Sequence, residues 1–389
     1  MLAFETALER LLAQATPLDA ERIPLEDALD RILASDLEAR RSSPPAAVSA
    51  MDGYAVLESD MGRVLTLAGE SFAGSTTPPM LTPGVCMRVF TGAPTPPNAD
   101  RVVVQEIVER RADGVVMPAS RPRGDHIRRA GSDFTEGDRL LAAGTVLSPQ
   151  ALVAAAAGDH AVVEVVRRPQ VAILATGDEL RAPGAPTGDG LSIPDSVTYG
   201  VMGLVARHGG EVCAKSRLPD RPDRLRAAAA QALAGADVVV VTGGASVGER
   251  DFAKSMFDGL GLEMLFSKVA IKPGKPVWLG RAGRTLVLGL PGNPTSAMVT
   301  ARLFLAPLIA GLAGRDPRSA LNWRAAVLDG PIPEAGDRDA FLRAGRCNGR
   351  LQLASNQDSG AQKTLGEAER LIWLPRQGGA RQGVRSLAF

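Results

Sequence analysis

The sequence predicts a multidomain α/β plus β protein, in which a central domain with a parallel sheet between two helical layers is flanked by smaller domains. Three observations point there. Residues 237–251 read DVVVVTGGASVGERD, a β-branched apolar run typical of a parallel strand covered on both faces, ending in a loop of small residues. From Arg168 to Leu312 such runs alternate with helical patterns, as in a parallel sheet with helices on both faces. Short strand-like runs cut by Gly and Pro lie on either side, and 42 Gly and 28 Pro in 389 residues supply turns for several domains.

Hydrophobic residues make up 45% and the formal net charge is +1, so there is material for a core and no electrostatic reason to expect nucleic acid or an acidic membrane as partner. Cys86, Cys213 and Cys347 are scattered without metal-site spacing and cannot form a disulfide framework, which fits a reducing cytosol. Glu5 and Glu9 interrupt any signal-peptide core, and the apolar stretch Leu303–Leu312 is too short to span a bilayer. A soluble cytoplasmic protein is expected.

Residues 1–38 carry apolar positions at helical spacing (Phe4, Ala7, Leu8, Leu11, Leu12), break at Pro17 and resume over Leu25–Leu33, predicting two amphipathic helices. With residues 128–168, where Pro149–Ala157 is the clearest helix, they are expected to form a small helical or mixed domain. Residues 39–127 hold the runs Val64–Leu67, Val85–Phe90 and Arg101–Val108, a β-rich domain. Within it Asp52-Gly53 reads as a hairpin turn or as a turn presenting a carboxylate. Thr91 and Gly92 sit at a strand end in a proline-stiffened loop, suited to holding a ligand group and equally to connecting strands.

In the central region, Val171–Ala175 is a strand whose loop carries Asp178 and Glu179 at its carboxyl end. A helix over Val197–His208, a strand from Val212 with Asp220 in its loop, and a helix from Pro222 to Ala234 lead to the Val238–Val241 strand. In the loop after it, Thr242, Gly243, Gly244, Ala245, Ser246 and Gly248 let the backbone approach an anion, and Glu249 and Asp251 follow. The loop lacks both P-loop and dinucleotide spacing, and a tight turn alone would also use its glycines. A helix follows over Phe252–Leu260. Lys272-Pro273-Gly274-Lys275 reads as a type II turn that brings two lysines to one place. Of only six lysines, Lys268, Lys272 and Lys275 fall in this stretch, which suits either an anion clamp or a solvated turn. Asn293 is a natural N-cap ahead of Pro294, so Pro291-Gly292-Asn293-Pro294 aims the N-terminus of a buried helix, Thr295–Leu312, at the same sheet edge. Residues 316–389 return to short strand-like runs, where Arg343 and Ser359 could add an anion-binding arm.

Taken in order along nearly the whole chain, SAMDGYA, FTGAP, ATGDEL, TGGASVGERD, AIKPGKP and LPGNPTSA resemble the molybdopterin molybdenumtransferases, the bacterial MoeA proteins and the E domain of gephyrin. The resemblance implies a four-domain homodimer with an active site shared between subunits, an α/β domain of the molybdopterin-binding type over residues 169–315 and a β-barrel-like C-terminal domain. It implies insertion of molybdate into adenylylated molybdopterin with release of AMP and assistance from Mg2+, with the upstream adenylyltransferase as a further partner. Carried over by motif, Asp52, Asp220, Asp251, Lys268 and Lys272 would be catalytic, and Asp178, Glu179 and Asp251 would hold the metal. Thr91, Gly92, Thr242, Gly243, Gly244, Ser246, Gly248, Lys275, Pro291, Gly292, Asn293, Pro294, Arg343 and Ser359 would bind the substrates, with Arg343, Ser359 and Lys272 around molybdate. The chain departs from the family at Pro194-Asp195-Ser196-Val197, where an amide that would bind ligand or cap the next helix is missing, at Ala245 and at Ser132. A molybdopterin-binding carrier or scaffold without turnover is the alternative reading.

Overall fold

The structure is a computed structural model and describes residues 1–186, 190–243, 252–334, 336–376 and 384–389. The chain divides into two compact units, a larger one of Met1–Glu21, Asp30–Ala34 and Glu164–Phe389 and a smaller one of Arg22–Leu29 and Ser35–Val163.

In the smaller unit a six-stranded sheet is built from β1 (Gly53–Val56), β2 (Val64–Ser71), β3 (Val85–Val89), β4 (Arg101–Val104), β5 (Glu109–Arg111) and β6 (Gly114–Val116), in the spatial order β4-β1-β3-β2-β6-β5. Strand alternation puts Tyr54 and Val56 into one apolar cluster and Ala55 into another, so the sheet is covered on both faces. Asp52-Gly53 is not a hairpin turn: Gly53 opens β1, which pairs with β3 and β4. In residues 128–163 the helix expected over Pro149–Ala157 forms, and it is the one helix there. It is capped by the Ser148 hydroxyl accepting from the Ala151 N–H at 3.3 Å, and the remainder is mostly turns and irregular chain with a few short strands such as Arg139–Leu141, which pairs with Leu37–Glu38.

The larger unit contains a second six-stranded sheet, formed by β7 (Gln170–Thr176), β8 (Glu211–Leu218), β9 (Val238–Thr242), β10 (Leu262–Ser267), β11 (Trp278–Ala282) and β12 (Thr285–Leu290), in the order β8-β7-β9-β12-β11-β10. The expected parallel sheet holds for β8, β7, β9 and β12, whereas β11 runs antiparallel to both neighbours, so the sheet is mixed. The cause is local. Between β11 and β12 lie only Gly283 and Arg284, a hairpin-length link, whereas a parallel crossover takes a dozen residues or more. In β7, Val171 and Ile173 face one layer with the helix Val197–Arg207, while Ala172 and Leu174 face another with the helix Pro222–Gly235.

Of the two helices expected at the N-terminus only Phe4–Leu12 forms, burying Phe4, Ala7 and Leu11, with Phe4 edge-to-face against Phe304, Phe341 and Trp373 at 5.0–5.7 Å. Over Leu25–Leu33 a single 3-10 turn, Leu25–Asp27, takes the place of the second, and Asp30 adopts φ 62°, which no helix accommodates. The helix from Phe252 likewise stops at Ser255. Pro294–Leu312 is helical throughout, with a π turn at Ala301–Leu305. Contrary to the sequence estimate, this 19-residue helix is long and apolar enough to cross a membrane, but it is 94% buried and serves as the core helix of the unit.

The C-terminal region folds into a third sheet, with β13 (Arg324–Ala326), β14 (Asp339–Cys347), β15 (Arg350–Leu353), β16 (Arg370–Leu374) and β17 (Val384–Ala388). Their order is β15-β14-β16-β17-β13, and the two-residue strand Ile271–Lys272 pairs with the start of β14. Beyond β13 the chain meets β15 again through a parallel bridge between Leu328 and Leu351, so the sheet curls back on itself.

Candidate functional site

Because β7, β8, β9, β10 and β12 run the same way, the loops after Thr176, Leu218, Thr242, Ser267 and Leu290 share one edge of the central sheet. The chain leaves β7 for β8 through a helix on one face and returns past β7 to β9 through a helix on the other. The crevice beyond β7 and β9 is therefore a topological switch point, where open α/β sheets take their ligands.

A cavity of about 470 Å³ opens there, lined by Thr176, Gly177, Glu179, Asp195, Asp220, Thr242, Gly243 and the Pro291–Pro294 loop. Gly243 takes φ 92°, and a Cβ on it would stand 2.3 Å from the Thr176 carbonyl oxygen, so only glycine lets these two strand ends meet. Glu179 and Asp220 contribute carboxylates to the wall. Asp178 is not part of that wall; its carboxylate accepts from the Asp220 N–H at 3.1 Å and fixes one acidic loop to the other. Among the described residues no group of three or more His, Cys, Asp or Glu side chains could hold a metal ion. Gly244, Ser246, Gly248 and Asp251, the rest of the expected loop, lie outside the described residues.

A second cavity, of about 910 Å³, lies alongside, with Pro276 common to both. Lys272, Lys275, Ser296, Gln357 and Ser359 line it, together with Arg338 and the acids Glu334, Asp337 and Asp358. The expected convergence of Lys272 and Lys275 is thus present. Between them Gly274 takes φ 106°, where a Cβ would lie 2.3 Å from the Thr300 methyl group. Lys268 belongs to neither wall.

Arg343 also departs from expectation: it is buried and does not line the lysine cavity. Its Nη1 donates to the Thr295 hydroxyl at 3.1 Å and its Nε to Gln357 Oε1 at 3.3 Å, while Nη2 has no partner among the described residues. Burial pulls its guanidinium below the ordinary arginine range. Asn293 occupies the N-cap position without making a capping bond; its amide donates instead to the Ser359 hydroxyl at 3.0 Å, and the Thr295 N–H donates to the Ser359 carbonyl. The C-terminal region is thereby stitched to the start of the core helix.

Asp195 itself was not among the expected site residues. Asp195 is buried in the wall of the first cavity and caps the helix Val197–Arg207, accepting from the Thr198 hydroxyl at 2.7 Å and the Thr198 N–H at 3.3 Å. The cap expected to be lost at Val197 is therefore supplied, and an Asp just ahead of the helix was its sequence signal.

In the smaller unit Asp52 and Thr91 come together, the Asp52 carboxylate accepting from the Thr91 N–H at 2.7 Å and its hydroxyl at 2.8 Å. These two bonds, aided by the nearby Arg88, hold Asp52 below the usual carboxylate range. Arg88 was not anticipated. It is buried, donates to the Gly53 carbonyl and to Gln105, and lies 5.0 Å from the Tyr54 ring centroid and 4.8 Å from that of Phe90. Gly92, next to Thr91, donates its N–H to the Ser49 carbonyl, a connector's role.

Comparison with known proteins agrees with this anatomy. A family model described as the MoeA N-terminal region, domains I and II, matches residues 2–158, and one described as a probable molybdopterin binding domain matches residues 172–311. The molybdopterin molybdenumtransferase of Haemophilus influenzae is 38% identical over 81% of this chain and 78% of its own. That of Synechococcus elongatus is 34% identical over 96% of each chain. Among solved structures, the molybdopterin biosynthesis MoeA protein of Pyrococcus horikoshii superposes with a TM-score of 0.81 at 27% identity, covering all of both chains.

Proposed function

The chain belongs to the molybdopterin molybdenumtransferase (MoeA) family, with a role in molybdenum cofactor biosynthesis, and from that premise we propose that it inserts molybdate into adenylylated molybdopterin and releases AMP. The observation that carries the reading is the adjacency of two unlike cavities. One is walled by glycine-rich loops and the carboxylates of Glu179 and Asp220, the other by Lys272 and Lys275 with the Ser296 and Ser359 hydroxyls.

In this reading the Thr242-Gly243 and Pro291–Pro294 loops hold the pterin and its phosphates against the sheet edge, where exposed N–H groups favour anions. Lys272 and Lys275 neutralise molybdate. Arg343, with one guanidinium nitrogen left over, sets the Ser359 loop against the start of the core helix through Thr295. Carboxylate oxygens suit a hard cation, and magnesium commonly binds through only one or two carboxylates plus substrate phosphate, so Glu179 and Asp220 fit Mg2+ without a complete cage. When bound, Mg2+ would offset phosphate charge as AMP departs. Asp52, held ionised by Thr91, and Lys268 are proposed as further site residues. The working form is proposed to be a homodimer that draws on both subunits for each site, supplied by the upstream adenylyltransferase.

The test is molybdenum insertion into adenylylated molybdopterin with AMP release as readout. Charge-assisted contacts are worth about 1.5–3 kcal/mol, so Lys272→Ala should raise the molybdate concentration for half-maximal rate about tenfold or more, with pterin affinity unchanged. Tight pterin binding with no AMP release from the unmodified chain would overturn the transferase reading in favour of a carrier.

A further inference from the structure

The curled C-terminal sheet carries a feature that the proposed reaction does not use. In antiparallel strands, directly opposed residues and residues two apart share a face. Arg324 opposes Ser386, Ser386 opposes Ile372, Arg370 stands two residues before Ile372 and opposes Ala344, and Arg346 stands two residues beyond Ala344. All three arginines therefore lie on the face that carries the apolar cluster of Ala344 and Ile372. Arg324 and Arg346 are exposed and Arg370 is half-buried, so their guanidinium groups stay hydrated at the rim of that apolar face.

The three surround one mouth of the curl. Arg324, Arg346 and Arg370, with Ser386 between them, line a cavity of about 420 Å³, within the size range of small-ligand pockets. Arg350 also lines it, opposite its partner Asp329 at 3.8 Å, and Asp329 is the only acid in the wall among the described residues. Arg346 pairs with Glu369 at 3.4 Å, whereas Arg324 and Arg370 make no ion pair among the described residues. Convergent guanidinium groups match the planar, two-point geometry of phosphoryl oxygens better than lysine would.

We propose that this mouth is a second ligand site, for a small phosphorylated metabolite whose phosphoryl groups are held by Arg324, Arg346 and Arg370. The site is independent of the proposed molybdate chemistry.

The test titrates the full chain with inorganic pyrophosphate by calorimetry at about 0.1 M salt, where exposed charges more than ~10 Å apart are screened. Saturable binding is expected, kept in Lys272→Ala and weakened about tenfold or more by Arg370→Ala and by Arg324→Gln. Arg324→Gln, at an exposed strand position, decides the matter if Arg370→Ala does not fold, and it should leave AMP release unchanged. The proposal falls if pyrophosphate does not saturate, if binding is lost in Lys272→Ala but kept in the arginine variants, or if a poly-glutamate peptide binds the mouth where pyrophosphate does not.

Discussion

The Asp52–Thr91 pair shows how two residues 39 apart in the chain come together as one hydrogen-bonded unit. The carboxylate accepts twice from a single residue, and both bonds favour its charged form. Thr91→Val keeps the backbone bond and removes the hydroxyl, so the carboxyl pKa should rise toward its ordinary value. Its ionised form would then be lost at a higher pH as the solution is acidified. Carbon-detected NMR titration of the Asp52 carboxyl checks this, and an unmoved titration would show that the hydroxyl bond is idle. Much of the site was legible at this scale because glycine, proline and paired lysines have few local uses. The Lys272–Lys275 convergence followed from turn chemistry alone, whereas Gly243, read as a residue for approach to a ligand, also lies against the Thr176 carbonyl. Arg88, Gln357 and Asp195 were not legible as site residues, since their roles depend on partners that only folding brings near.

At the scale of elements, the parallel core was readable from β-branched runs, but direction was not. A run such as Trp278–Ala282 looks the same in either orientation, and only the two-residue link to Thr285 revealed the hairpin. Helical spacing over Leu25–Leu33 misled for a different reason: Ile32 and Leu33 are buried, but through extended backbone beside Val165 and Val166. The helix Val197–Arg207 offers two tests. Asp195→Ala removes its cap and should cost about 1 kcal/mol in urea unfolding, whereas Asp195→Asn, which keeps one acceptor oxygen for the Thr198 N–H, should cost less. Equal losses would point to the Arg217 contact at 3.8 Å instead. At its other end His208 is held down to about 4, by burial first and then by Arg302, Arg207 and Arg315, against an ordinary value of 6.5. Between these values the unfolded chain takes up a proton that the folded chain refuses. Stability should therefore be level above about pH 6.5 and fall as pH drops toward 4, by an amount on the order of 2 kcal/mol. Urea midpoints at pH 7 and pH 4.5 should differ less in His208→Gln than in the parent chain; an unchanged difference would assign the acid loss to other groups.

For the whole molecule the open matter is how many chains build one active site. Asp52 and Thr91 belong to the smaller unit and Lys272 to the larger, and the proposed homodimer draws on both subunits for each site. Suppose Asp52→Asn and Lys272→Ala are each nearly inactive under limiting molybdate, and the two variants are mixed and allowed to exchange. If one subunit supplies Asp52 and the other Lys272, each two-fold heterodimer holds one site carrying both substitutions and one carrying neither. Random pairing makes half of the dimers mixed, so about a quarter of the parent activity should return. If both residues of a site come from one chain, every site in the heterodimer carries one substitution and nothing returns. Native mass spectrometry supplies the control: heterodimers present without recovered activity would confine the site to a single subunit, and the absence of any dimer would remove the shared-site proposal at its root.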